Sequence, residues 1–312
     1  MSWIPVAIAA YFLLAISNLI DKFLVEKVIG SGRAYAFVAC ILGSVVFIGA
    51  PWLLSWPGIA GLALDLLLGA IFCLALLLLF ASLRRGEASR ALVIVGGSTP
   101  VFTIPLSLLI LGERFPASEL TAVLLLVIGV AVVALLPRKQ PGFWTKVVGF
   151  TFSPKTTISS VILALGSGLA YSLFFVGSKL AYQQQPFLSA FLWMRLAAAV
   201  AALFILLSPK ARAEIKSLFQ KKPGKKKNQV LVVGNQILGA GGFVLQNYAI
   251  YLGPVTLVNA LQGVQYAWVI LIGAVVTFFK ADILREDIGA RALIQKGFAI
   301  LMIGAGLYLL SI

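Results

Sequence analysis

Three polar side chains punctuate one otherwise apolar stretch near the end of the chain. Asn259, Gln262 and Tyr266 stand at i, i+3 and i+7, which places them on one face of a helix, and Gln265 lies beside them. Amides and a phenol both donate and accept hydrogen bonds, so this face suits a small polar molecule. Upstream, Asn235 with Gln246 and Gln236 with Asn247 share helical faces in the same way. Arg195 interrupts "FLWMRLAAAV", where its fork could grip an anionic group bidentately. Pairing with a carboxylate, or reaching for an interface, is the competing reading. Asp21 and Asp65 are candidates for a coupling proton, and Lys179 for a charge partner or a snorkelling cation. Glu87 and Arg90, at i and i+3, are spaced to pair with each other. Trp193 and Trp268 could stack on a ligand, although core packing accounts for them equally.

Other chemistry is absent from the alphabet of the chain. There is no histidine, so Ser-His triads and histidine metal sites are excluded. The two cysteines, Cys40 and Cys73, read as small buried residues. No Walker loop, HExxH or sensibly spaced catalytic dyad occurs, so neither a catalytic residue nor a cofactor or metal is expected.

The elements that position these groups follow from composition. The chain of 312 residues is 61% hydrophobic and 11% charged, with mean hydropathy +1.04. A soluble fold of this size could not hide so much apolar surface. Ten apolar runs are long enough to cross a bilayer as helices, at about residues 3–20, 34–55, 59–83, 89–111, 116–136, 157–182, 187–207, 229–251, 254–279 and 293–311. The alternating pattern of a membrane β-barrel is missing. The first run lacks a basic leader and reads as a retained span.

The net charge of +15 falls mostly in loops. Loops that follow odd-numbered spans hold Lys22, Lys27 and Arg33; Arg84, Arg85 and Arg90; Arg138, Lys139, Lys146 and Lys155; and Lys280, Arg285, Arg291 and Lys296. The densest, over residues 209–229, carries Lys210, Arg212, Lys216, Lys221, Lys222, Lys225, Lys226 and Lys227. Basic loops stay cytoplasmic, which puts both termini outside a cell (inner) membrane. The 209–229 loop suits anionic lipid, or serves only as a topology anchor. Nucleic acid is not an expected partner; a small-molecule substrate and the lipid bilayer are, and a homodimer is left open.

Self-comparison divides the chain in two. At an offset of 167 residues, Gly86 falls on Gly253, Ala88 on Val255, Ser89 on Thr256 and Gly96 on Gly263. "NLIDKFL" resembles "FVGSKLA", pairing Lys22 with Lys179. The expected units are residues 1–137 and 157–312, five spans each, joined by a basic and aromatic linker at 138–156. An odd span count forces the second unit to enter the membrane from the opposite side, an inverted-topology repeat. The fold expected is therefore an all-α integral membrane protein of ten transmembrane helices in two inverted five-helix repeats.

The stretch from Ala88 to Arg114 carries a resemblance. Ala88 and Ser89 open it, Gly96, Gly97 and Pro100 follow at intervals, and Leu111-Gly112-Glu113-Arg114 closes it. This resembles the fourth helix of the drug/metabolite transporter superfamily, in its ten-helix EamA-like branch. The second half departs from the pattern, with Ala267 and Trp268 opposite Pro100 and Val101, and Lys280 opposite Glu113. Members of that branch usually keep both termini in the cytoplasm, against the charge distribution here. The resemblance implies a secondary transporter, an exporter or exchanger, for a small polar or amphipathic metabolite. An enzyme or lipid-handling scaffold using the same cavity without transport is the alternative, and a channel a third. "GGSTP" predicts a bent segment that is cavity-facing or tightly packed, with Gly96, Gly97 and Pro100 as the bend and Ser98 and Thr99 supplying hydroxyls. Spans 4 and 9, as repeat mates, are expected to line a central polar cavity.

Overall fold

A computed structural model describes residues 2–24, 31–85, 88–134, 158–219 and 225–279, with a few further positions between 298 and 309. All regular structure among the described residues is helical. Span 1 is α1 (Trp3–Leu24). Span 2 begins as α2 (Gly32–Gly43), tightens into a 3-10 stretch (Ser44–Gly49) and ends in the short α3 (Ala50–Leu53). Ser31 caps α2 by accepting from the Ala34 N–H at 3.3 Å. Spans 3 to 5 are α4 (Gly58–Arg85), α5 (Ala88–Ile110) and α6 (Ala117–Ala134). Span 6 is α7 (Ile158–Gln184); span 7 is α8 (Phe187–Leu203) with a 3-10 end (Phe204–Leu207). A helix not foreseen in the basic loop, α9 (Pro209–Phe219), precedes span 8, α10 (Lys225–Leu252). Span 9 is divided into α11 (Val255–Ala260) and α12 (Gln262–Phe279). The expected span at 293–311 and the linker at 138–156 lie essentially outside the described residues.

Six of these segments are long and apolar enough to cross a membrane: Trp3–Asp21, Gly32–Leu53, Gly58–Arg85, Ile158–Gln184, Phe187–Leu207 and Val230–Leu252. Large apolar side chains such as Ile59, Leu109 and Ile158 are exposed around the outside. In water such a surface would be unstable; against lipid tails it costs nothing.

Helix association in lipid cannot rely on hydrophobicity and uses small residues and hydroxyls instead. The most extensive contacts are α4 with α7 and α1 with α10. Along the first, the Ser167 hydroxyl donates to the Ala75 carbonyl at 2.9 Å and the Ser82 hydroxyl to that of Ser160 at 2.8 Å. Gly69 lets α4 approach α8 so closely that a Cβ there would lie 2.6 Å from both Ala198 N and Met194 O. Gly242 does the same for α10 against α1, where a Cβ would stand 3.1 Å from Ala10 O.

Spans 4 and 9 differ in how their helices run. α5 remains one helix through Pro100 and Pro105, although each removes a ladder hydrogen bond. Hydroxyls bridge the turns around the gaps: Thr99 donates to Val95 O at 2.7 Å, Thr103 to Thr99 O at 2.8 Å, and Ser172 of α7 also to Thr99 O at 2.8 Å. Close packing completes the support, since Gly168 of α7 sits directly against Ser98. The proline-free mate in span 9 is the one that breaks. There the Val264 N–H turns back to Leu261 O at 2.9 Å, shifting the ladder from i−4 to i−3.

Candidate functional site

The molecule encloses a cavity of about 180 Å³ between its helices. Its walls come from spans 1, 2, 3, 4, 6, 7, 8 and 9, so spans 4 and 9 are minor contributors rather than the main lining. Among the described residues, Val95, Thr99, Gln262 and Gln265 reach it from these two spans. Span 1 supplies a polar corner of Ser17, Asn18 and Asp21, and span 8 supplies Gln236, Phe243 and Gln246.

At that corner the Asp21 carboxylate is held by two neighbours. Its Oδ1 accepts from Asn235 Nδ2 at 2.6 Å and from the Tyr35 hydroxyl. Gln236 Nε2 in turn donates to the Tyr35 oxygen at 3.2 Å. This links spans 1, 2 and 8 through one half-buried carboxylate. Deeper in the seam, the Tyr11 hydroxyl donates to Val258 O at 2.8 Å and accepts from Gln246 Nε2 at 3.3 Å.

Arg195 reaches the same cavity from span 7. It is 7% exposed. Its guanidinium packs against a cluster of rings, 4.1 Å from the centroid of Phe72 and 4.2 Å from that of Phe243, with Phe191 at 5.3 Å. Stacking of this kind offsets part of the lost hydration. No protein acceptor meets its Nε or Nη2. Among the described residues no carboxylate pairs with Arg195, against the competing reading.

Several other expected site residues lie elsewhere. Span 9 breaks between Asn259 and Gln262, so Asn259 does not share a continuous helix face with Gln262. Asn259 faces α5 and donates to Thr103 Oγ1 at 3.3 Å. Ser98 turns its hydroxyl to its own helix, to Val95 O at 3.2 Å. Trp193 donates from Nε1 to Ser55 O at 3.1 Å, packs edge-on to Phe47 and Trp56, and does not line the cavity. Trp268 packs edge-on against Phe12, 5.0 Å between centroids, away from the cavity. Asp65 is fully buried outside the cavity, where both oxygens accept from Gln185 Nε2 at 3.0 and 2.9 Å.

Lys179 is occupied too. Its Nζ donates to Ile250 O, Tyr251 O and Gly253 O at 2.9, 3.0 and 2.9 Å, closing the C-terminus of α10. Beyond it, Glu113 accepts from the Val255 N–H at 3.4 Å. Partial burial raises the Glu113 carboxyl above the usual range, against the lowering pull of that N–H and of the nearby Lys179 charge. Glu87 and the side chains of Arg90 and Tyr266 fall outside the described residues, so their expected roles have no structural counterpart here.

Tyr35, Ser17, Asn18 and the ring pair Phe72 and Phe243 were not singled out in the sequence. Ser17 and Asp21 stand four apart in "SNLID", a polar face inside an apolar helix, which is the signal that would have found that corner. The rings carry no such mark among 21 phenylalanines.

Comparison with known proteins fits this architecture. A solved crystal structure aligns over 99% of this chain and 96% of its own, with a TM-score of 0.66 and 18% identity. At that identity the likeness concerns the fold. None of the curated proteins matches the chain. Residues 1–135 match the model of the EamA-like transporter family, which bears out the resemblance carried by the stretch around Pro100. The chain is a multi-pass membrane protein whose residues 1–135 belong to the EamA-like transporter family of the drug/metabolite transporter superfamily.

Proposed function

We propose that the protein is a secondary transporter that moves a small polar or amphipathic metabolite by alternating access between two five-span repeats, residues 1–137 and 157–312. One observation carries this reading: a cavity at the seam of the two halves that receives Asp21 and Thr99 from one half and Arg195, Gln236, Gln246, Gln262 and Gln265 from the other. Buried polar and charged groups in a membrane protein mark a pathway more often than a structural need. The packing supports two related halves. Span 1 lies along span 8 as span 6 lies along span 3, and spans 2 and 7 pack on each other. That pattern is unchanged when the halves are exchanged, as a repeat built around a two-fold axis would have it. The polar groups of the cavity, rather than spans 4 and 9 alone, form the binding surface in this reading.

Orientation follows from the basic loops, which place odd-numbered loops in the cytoplasm and both termini outside a cell membrane. Helix α9 fits that assignment, with Ala211 and Ile215 buried while Lys210, Arg212 and Lys216 are exposed, an arrangement suited to the surface of anionic lipid. The deciding experiment is counterflow in proteoliposomes with a panel of labelled small metabolites. Saturable exchange that accelerates with unlabelled compound on the far side is expected. Flux that rises linearly with concentration, or conversion of a compound to a product, would remove the proposal.

A further inference from the structure

The charges that meet in the cavity are unequally compensated. Asp21 has two donors on one oxygen, from Tyr35 and Asn235. Arg195 packs against the Phe72 and Phe243 rings and has no acceptor at Nε or Nη2. Although both residues line the same space, Asp21 is bonded to Tyr35 and Asn235 and not to Arg195. A buried guanidinium without a counter-charge is costly, and stacking recovers only part of that cost.

A guanidinium takes an anion most strongly through its edge, by paired N–H donors. Nε and Nη2 share one edge, and their N–H groups run parallel at a spacing that suits the two oxygens of a carboxylate. Nη1 lies close against Gly43, where a Cβ would stand 3.2 Å away. The cavity wall also includes the apolar side chains of Phe72, Leu76, Phe175 and Phe243, with the Tyr171 ring among them. The volume of about 180 Å³ is below the ~300–1,000 Å³ of sites for drug-sized ligands, so the guest is small.

We propose that Arg195 anchors a carboxylate of the transported molecule, and that the substrate class is small organic acids with an apolar or aromatic body. This rests on the transport reading above. The anion supplies the acceptor that the buried Nε and Nη2 edge lacks, which the edge must turn toward the cavity to meet, while the rings hold the apolar part. Because Asp21 is already provided with donors, the assignment requires an anion at one end of the guest and leaves its other end to the amides.

The test uses purified full-length protein and four probes: benzoate, benzamide, benzylamine and inorganic phosphate. Thermal stabilisation by benzoate is expected, with benzamide and benzylamine about tenfold to hundredfold weaker, the loss of a charge-assisted pair. Arg195→Leu abolishes the benzoate response while raising the protein's own melting temperature, because an uncompensated buried charge is gone. Arg195→Lys keeps the charge without the fork and retains a weakened response, which preserves the test should the leucine variant fail to fold. An equal response to benzamide or benzylamine, or a benzoate response unchanged in both variants, overturns the assignment. An Arg195-dependent response to phosphate as strong as to benzoate overturns the organic-acid class. Counterflow with neutral or cationic compounds but never with carboxylates would sink this inference and leave the transport reading standing. Loss of all counterflow with an intact, Arg195-dependent benzoate response would do the reverse.

Discussion

Replacing Lys179 with methionine tests how the junction between spans 8 and 9 is held. The side chain keeps its length and loses the ammonium that gathers three carbonyls at 2.9, 3.0 and 2.9 Å. A hydrogen bond to a charged group contributes about 1.5–3 kcal/mol. The bond to Tyr251 O is exposed and counts for little; those to Ile250 O and Gly253 O are half-buried and count for more. A cation at a helix C-terminus adds about 0.5 kcal/mol. Water can reach part of the vacated site, which returns some of this. The expected loss for Lys179→Met is therefore about 2–4 kcal/mol, read from unfolding by SDS titration in mixed micelles. Arginine at this position should recover only part of it, since a planar fork does not converge on three carbonyls as an ammonium does. A methionine variant within about 0.5 kcal/mol of the wild type would refute the idea that Lys179 secures this junction.

Three further outcomes follow from the packing and the charges. Gly69→Val drives a side chain into Ala198 N and Met194 O and should cost about 1–3 kcal/mol in the same titration; no loss would mean α4 and α8 are not in close contact. Asp65→Asn should leave counterflow kinetics unchanged while weakening the bond to Gln185, whereas Asp21→Asn should alter exchange; the opposite pattern would place the pathway on the wrong carboxylate. For Glu113 the sign runs one way: burial lifts its carboxyl in the folded protein above its value in the unfolded chain. Its contribution is thus fully present in acid and is lost as pH rises through the elevated folded value. Stability should decline from about pH 4 upward through that value, and Glu113→Gln should flatten the decline; an unchanged slope in the glutamine variant would contradict it.

Most of the scaffold was legible because lipid leaves few options. Apolar length fixes spans, and the segments read at 59–83 and 157–182 correspond closely to α4 and α7. The break in span 9 was not legible. It follows no proline, and Gly263 alone resembles many other membrane glycines. Conversely, α5 continues as one helix through Pro100 and Pro105, with neighbouring hydroxyls beside the gaps. Those hydroxyls lie partly on α7, far away in sequence, where Ser172 gives no local sign of its target. The same distance effect governs the site. Asp21, Arg195, Gln246 and Gln262 were identifiable because charge and amide groups are rare in spans, but their neighbours were not. Thr99 reached the cavity while Ser98, one residue earlier, did not, a distinction set by the rotation of α5 against α7. Tyr35 and Phe243 owe their importance to what stands opposite them.

The tightened ends of spans 2 and 7 bear on the length of the molecule. A 3-10 helix advances about 2.0 Å per residue where an α-helix advances 1.5 Å. The six residues Ser44–Gly49 thus extend span 2 by roughly 3 Å beyond what α geometry would give. The shorter stretch Phe204–Leu207 stretches span 7 in the same sense, by roughly 2 Å. Each such residue also turns the chain by about 20° more than an α residue. Relaxing the segment in span 2 would reel in Trp52 and swing it through about 120°, like a screw backing out of its thread, with no backbone bond left open.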